Sequence, residues 1–278
     1  MIYDCFPFFN ELDLLEIRLS ELYNVVDKFV LVEATKTFQK NSKPLFFKEN
    51  KERFSKFNDK IIHIVLDDYP NFFSKFRKPK PWDISHHQKN AVGRGLKNCK
   101  KDDVVLISDL DEIPRAKKIL EYKEIPGIKV FEQRHHNYFL NCIATKGPVE
   151  AHTVNRQNIL YWKGTVMMNY GNFKSFRIAR KYHDLNDPEI VIIREGGWHF
   201  SYLGGFEKVI FKLRSLEHAN EKHYFFDFEK ELEKIKNKIE NAEDLFGRDF
   251  NYKFIKFDQT YPEMLTKNLT QYNHLIKN

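Results

Sequence analysis

The 278-residue sequence holds little cysteine, no long apolar run and no compositional break, and each absence excludes something. Its three cysteines, Cys5, Cys99 and Cys142, are odd in number, far apart and free of any C-x-x-C pair. That leaves no disulfide framework and no zinc ribbon, and points to a reduced, cytoplasmic setting. No apolar stretch approaches the roughly 18 residues a membrane helix needs, so any membrane contact is expected to be peripheral. Met1-Ile2-Tyr3-Asp4-Cys5 puts no basic segment ahead of an apolar one, so no secretory signal is expected. There is no internal repeat and no linker rich in Gly, Pro or Ser, so one domain over residues 1–278 is expected. Positive charge is not gathered either. The net charge is +7, but the lysines are scattered as on a solvated surface and form no block that would grip nucleic acid. The excess suits a phosphorylated small molecule or an acidic membrane surface.

What is abundant is aromatic and apolar. Hydrophobic residues make up 42%, enough for a sizeable core, and the chain holds 26 Phe and 13 Tyr. Aromatic rings fill cores and also line sugar-binding clefts. Over the first 130 residues, short apolar runs alternate with amphipathic stretches. Strands are expected at Ile2–Phe6, Phe29–Val32, Ile61–Leu66 and Val104–Ile107, a helical stripe at Leu12, Leu15, Leu19 and Leu22, and a polar helix around Ser85–Leu96. Pro114 sits where a further helix could begin. This alternation predicts an α/β fold, with a central, mostly parallel sheet flanked by helices. Further on, Ile128–Phe131, Tyr138–Cys142, Ile159–Met168 and Ile190–Ile193 read as strands. Two helical faces follow, from Phe206 to Leu213 and from Phe228 to Ile239.

The strongest local signal is Val104-Val105-Leu106-Ile107-Ser108-Asp109-Leu110-Asp111-Glu112. A buried strand ending directly in carboxylates places them where open α/β sheets bind ligands. In extended chain, residues two apart face one side, so Asp109 and Asp111 are expected to meet one ligand together. Mg²⁺ or Mn²⁺ takes one or two carboxylates plus phosphate oxygens, which suits a departing nucleoside diphosphate. A D-x-D after an apolar strand also occurs in phosphatases of the haloacid dehalogenase type, with the first Asp as nucleophile, and an acidic cluster can simply cap a helix. A second signal is Gly196-Gly197-Trp198-His199, where paired glycines allow a tight turn or close backbone approach and the imidazole of His199 could meet a metal or a phosphate. A third is Phe8-Phe9-Asn10-Glu11: these polar groups, like Glu33 at the end of the second strand, could contact a nucleoside, or Asn10 could be a plain helix cap.

Taken together, the sequence resembles glycosyltransferase family 17 over roughly residues 2–276. The likeness rests on Asp4-Cys5-Phe6-Pro7-Phe8-Phe9-Asn10-Glu11-Leu12-Asp13-Leu14-Leu15, on Val25-Val26-Asp27 with Phe29-Val30-Leu31-Val32-Glu33, and on Pro44-Leu45. It continues through Ser108-Asp109-Leu110-Asp111-Glu112-Ile113-Pro114, Gly197-Trp198-His199 and Phe211-Lys212-Leu213. The resemblance implies a GT-A type fold with a nucleotide-binding half over 1–130, an acceptor and catalytic half over 131–225 and C-terminal helices over 226–278. It implies a UDP-sugar donor such as UDP-GlcNAc, a divalent metal (Mn²⁺ or Mg²⁺) and inversion at the anomeric carbon. The acceptor would be a glycan, polysaccharide or lipid-linked saccharide. Asp109, Asp111 and His199 would hold the metal, and Asn10, Glu11 and Glu33 would lie near the nucleoside. Gln88, Arg94, Asp109 and Lys212 would touch the donor. Glu207, just after the Trp-His segment, is the first candidate base and Glu195 the second. Tyr161-Trp162-Lys163-Gly164 would border the acceptor. A glycan- or nucleic-acid-binding protein without catalysis is the remaining alternative.

Overall fold

A computed structural model of the chain describes residues 1–69, 80–148, 152–185, 187–217, 219 and 226–277. Its first part runs β1 (Ile2–Phe8), α1 (Leu12–Leu22), β2 (Lys28–Ala34), α2 (Phe46–Glu49), β3 (Ile61–Leu66), α3 (Pro81–Asn90) and β4 (Val104–Ile107). Next come β5 (Glu112–Pro114), α4 (Ala116–Tyr122), β6 (Lys129–Asn137), β7 (Cys142–Lys146), β8 (Thr153–Arg156) and β9 (Ile159–Asn169). The last part is α5 (Phe176–Arg180), β10 (Val191–Ser201), α6 (Phe206–Ser215), α7 (Phe228–Glu240), β11 (Asn251–Phe254) and α8 (Glu263–Lys267). The strands join one sheet of order β11-β7-β6-β9-β4-β1-β2-β3, with β10 on β5 and β6, and β8 on β9. Among the described residues no helix is long and apolar enough to cross a membrane.

The apolar runs make buried strands because the sheet is covered on both faces. Alternate side chains divide between two cores. Phe6, Phe29, Leu31 and Leu106 pack with Leu15, Leu19 and Leu22 of α1 on one face. Cys5, Val30, Val32, Val105 and Ile107 pack with Val92, Leu96 and Phe176 on the other. A third cluster joins Val209, Ile210 and Leu213 of α6 to Ile235 and Ile239 of α7, as their helical spacing required.

The α/β architecture stands as expected, with four differences in detail. Parallel pairing is confined to β3-β2-β1-β4 and to β10 with β6; the remaining pairs are antiparallel, so the sheet is mixed. Residues 138–141 form a turn rather than a strand: Tyr138 has φ 63°, and its phenol donates to the carbonyl of Glu243 at 3.0 Å. Pro114 ends β5 instead of opening a helix, because Ile113 and Pro114 lie opposite Trp198 and Gly197 of β10. The C-terminal part also supplies β11, which pairs with β7.

Gly196 and Gly197 do not turn the chain; they lie within β10, at an irregularity in its pairing with β6. Close backbone approach is what they provide. Gly197 has φ 145°, and a Cβ there would stand 2.1 Å from the carbonyl oxygen of Ile113. Gly197→Ala is therefore expected to destabilise the protein by about 3 kcal/mol, through strain and forced separation of β5 from β10. Urea denaturation measures it, and a loss below about 1 kcal/mol would show that β5 yields freely.

Candidate active site

The carboxyl ends of β1 and β4 open into a cleft of about 250 Å³, lined by acids, cations and aromatic rings. A larger groove of about 530 Å³ lies elsewhere, between α1 and α8, but it gathers none of the acidic turn and is not the site.

The acidic motif is built differently from the extended pair expected. Asp109, Leu110, Asp111 and Glu112 form a turn closed by the Glu112 amide donating to the Asp109 carbonyl at 3.1 Å. The Glu112 carboxylate accepts from the Asp109 amide, also at 3.1 Å. Leu110 is buried, so both aspartates reach the cleft because the turn folds around it. Beneath the turn lies Arg18 of α1, fully buried. Its guanidinium holds Asp4 with two bonds of 2.8 and 2.6 Å and Ser108 Oγ at 2.6 Å. It also donates to the carbonyls of Asp109, Leu110 and Glu112 at 2.9–3.1 Å. A charge on the otherwise apolar buried face of α1 thus anchors the loop that carries the aspartates.

Each aspartate faces cations. Lys89 Nζ of α3 is 3.1 Å from Asp109, and Arg180 of α5 is 3.6 Å away. Burial opposes ionisation of Asp109, yet these two cations hold its carboxyl well below the usual carboxylate range. Asp111 lies between Lys212 Nζ of α6 at 3.2 Å and His199 Nε2 of β10 at 3.8 Å. Lys212 also reaches Glu11 at 3.4 Å. Burial works against the Lys212 charge, but Asp111 and Glu11 raise its pKa above the ordinary lysine value, so it stays a cation. Burial lowers the pKa of His199 and of His135, whose Nδ1 atoms are 3.0 Å apart, so one neutral ring donates to the other. Glu112 is fully engaged: Arg180 grips it with both guanidinium arms, and Trp162 Nε1 donates to it at 2.8 Å.

Of the residues singled out in the sequence, Glu11, Gln88, Asp109, Asp111, Glu112, Trp162, His199 and Lys212 line this one cleft. Asn10, Glu33, Arg94, Glu195 and Glu207 do not. Asn10 lies beside it, with its amide on the Glu11 carboxylate, and it does not cap α1, whose N-cap is Glu11. Glu33 is wholly buried, accepting from the amides of Phe47 and Lys48 and pairing with His63 at 3.0 Å; it holds α2 in place and cannot meet a nucleoside. Arg94 turns outward to Asp68, at 2.8 and 2.7 Å. Glu195 bonds Arg134 and Tyr161, whose side chains alternate with those of His135 and Trp162, so it sits on the opposite face of the sheet. Glu207 is exposed in the first turn of α6 and does not line the cleft. Neither glutamate is placed to act as the base. Asp109, Asp111 and His199 also do not form one three-donor group: among the described residues no cluster of three acidic, His or Cys side chains is gathered around a common point.

Sequence reading missed Lys89, Arg180 and Glu217. Lys89 adjoins Gln88 on α3, but nothing local marks Arg180 or Glu217, which reach the cleft from 71 and 108 residues beyond Asp109. Beside the charged floor is an apolar compartment of about 70 Å³ bounded by Phe9, Thr37, Phe38, Gln88 and Leu216. Phe9 is stacked on Phe211, with ring centres 5.2 Å apart.

The profile of glycosyltransferase family 17 matches residues 1–275. The beta-1,4-mannosyl-glycoprotein 4-beta-N-acetylglucosaminyltransferase of Rattus norvegicus is 25% identical over 290 residues, covering 97% of this chain and 53% of that protein. The Homo sapiens protein of the same name is 25% identical and covers 97% and 54%. The chain thus spans about half the length of the curated relatives it matches. Among solved structures, a mannosyltransferase of Pyrobaculum calidifontis in complex with GDP-Man and Mn²⁺ is a slight likeness, 10% identical, with a TM-score of 0.39 over 87% of this chain and 70% of that one. The acidic turn and every residue lining the cleft around it fall inside the family match, and the chain belongs to glycosyltransferase family 17.

Proposed function

We propose that this chain transfers a sugar from a UDP-sugar to a glycan hydroxyl, with a divalent metal and with inversion at the anomeric carbon. The names of the curated relatives support N-acetylglucosamine as the donor sugar. The observation that carries the reading is the charge balance of the cleft within a family 17 chain. Five carboxylates (Glu11, Asp109, Asp111, Glu112, Glu217) face three cations (Lys89, Arg180, Lys212), leaving two negative charges for a divalent ion to neutralise. Asp111 and the neutral His199, with Asp109 alongside, are the donors that fit such an ion. Mg²⁺ and Mn²⁺ need only one or two carboxylates and fill their remaining positions with water and phosphate oxygens. Bound there, the ion would supply positive charge to the departing diphosphate.

The chain's own groups do the rest. Lys89, Lys212 and Arg180, held as cations by their carboxylate partners, present positive charge where the diphosphate would lie. The compartment of Phe9 and Phe38 suits a flat nucleobase, with Gln88 and Thr37 as polar partners. The Trp162 ring, beside His199 at the other end, offers a face for a pyranose. Residues 1–130 would then bind the nucleotide and 131–225 supply the acceptor side, where a polysaccharide or lipid-linked saccharide would dock. The phosphatase alternative needs Asp109 as a free nucleophile, whereas its carboxylate is held between Lys89 and Arg180.

Calorimetric titration with UDP and UDP-GlcNAc tests the proposal. Micromolar binding in Mn²⁺ that weakens at least tenfold in EDTA is expected. No binding of either ligand by the folded protein would overturn it.

A further inference from the structure

We propose that Glu217 is the catalytic base that takes the proton from the acceptor hydroxyl, an assignment that rests on the transfer reading above. A base must be a carboxylate in the cleft whose charge is not already spent on a partner. Four of the five are spent: Glu11 and Asp111 on Lys212, Asp109 on Lys89, and Glu112 on Arg180. A carboxylate held by a cation is stabilised as the anion, and protonating it breaks the pair, so it is a poor proton acceptor.

Glu217 differs. Among the described residues it is the cleft-lining carboxylate without an ion pair, and it is only 8% exposed. Its Oε1 accepts from Ser85 Oγ at 3.1 Å, which orients the group, while Oε2 makes no hydrogen bond to a described residue. Ser85 and Lys89 are four residues apart on α3, so they share one helix face. The hydroxyl that steers Glu217 thus lies one turn from the lysine bonded to Asp109, which brings the base to the diphosphate end of the cleft. Lys89 is close enough to feel the Glu217 charge, but its ammonium is committed to Asp109.

In the step assigned to it, a lone pair of the acceptor oxygen forms the new bond to C1 of the sugar. The C1–oxygen bond to the diphosphate breaks, and its electron pair leaves with UDP. The hydroxyl proton passes to the Glu217 carboxylate, and the resulting acid returns it to solvent after the products depart.

The test measures UDP release from UDP-GlcNAc, with water and with a chito-oligosaccharide as acceptors, alongside UDP affinity by calorimetry. Glu217→Gln keeps the shape and the Ser85 contact but cannot take a proton, so release is expected to fall roughly 10²–10³-fold, with UDP affinity within threefold. Glu207→Gln should leave both unchanged. Release by Glu217→Gln within threefold of wild type would overturn the assignment. So would a parallel loss of UDP affinity, which would make Glu217 a donor-binding group. Should the Gln variant fail to fold, Glu217→Asp decides the matter: release reduced at least tenfold with UDP affinity kept supports the base, and wild-type release refutes it. A wild-type protein that binds no UDP would instead overturn the transfer reading itself.

Discussion

Asp111→Ala is expected to abolish metal-dependent binding of UDP and UDP-GlcNAc, weakening it at least a hundredfold, and to lower turnover by about 10³. The loss is local. Asp111 is the carboxylate that stands with His199 and Lys212, so its removal takes away the charge a divalent ion would meet and leaves Lys212 with Glu11 alone. The turn itself should persist, since its bonds run through Arg18, Leu110 and Glu112 rather than through the Asp111 side chain. Calorimetry in Mn²⁺ and in EDTA, with a melting curve for each protein, separates lost binding from lost fold. Retained, EDTA-sensitive binding in a folded Asp111→Ala protein would remove Asp111 from the metal site.

The second large effect is on stability. Arg18→Met should cost 3–5 kcal/mol, because it leaves the Asp4 carboxylate buried without its partner and frees three carbonyls of the acidic turn. That is a large share of the roughly 5–15 kcal/mol by which a domain is stable. Urea denaturation gives the number. Adding Asp4→Leu should recover part of the loss, because the unpaired charge then disappears. A loss below 1 kcal/mol for Arg18→Met would mean that water reaches the site and solvates Asp4. The same variant should weaken UDP binding even though Arg18 lies outside the cleft, since the aspartates would lose the support that aims them.

Much of the fold is legible in local pattern. The runs at 29–32 and 104–107 become buried strands, the run at 61–66 becomes a half-buried edge strand, and the stripe from Leu12 to Leu22 becomes a helix, because these patterns need only neighbours in sequence. Where tertiary contacts overrule that pattern, the reading fails. Tyr138–Cys142 looks like a strand by composition, but Tyr138 leaves the sheet to bond the chain beyond α7. Glu33 ends a strand, as a ligand contact would, yet its oxygens are taken by α2 and His63.

By itself, then, the sequence determined the α/β class, through short-range periodicity, and the family, through its ordered motifs, and that resemblance implied a shared site for Asp109, Asp111, His199 and Lys212. Only the tertiary structure decided which charges meet. Arg18 under the turn, Lys89 and Arg180 on Asp109, and Glu217 without an ion pair beside them come from segments up to about two hundred residues apart, and nothing in local spacing records that they converge. It also decided against Glu207 and Glu195, because whether a carboxylate can act depends on burial, on the face of the sheet and on its partners. Those are properties of the folded surroundings, not of the residue or its neighbours in the chain.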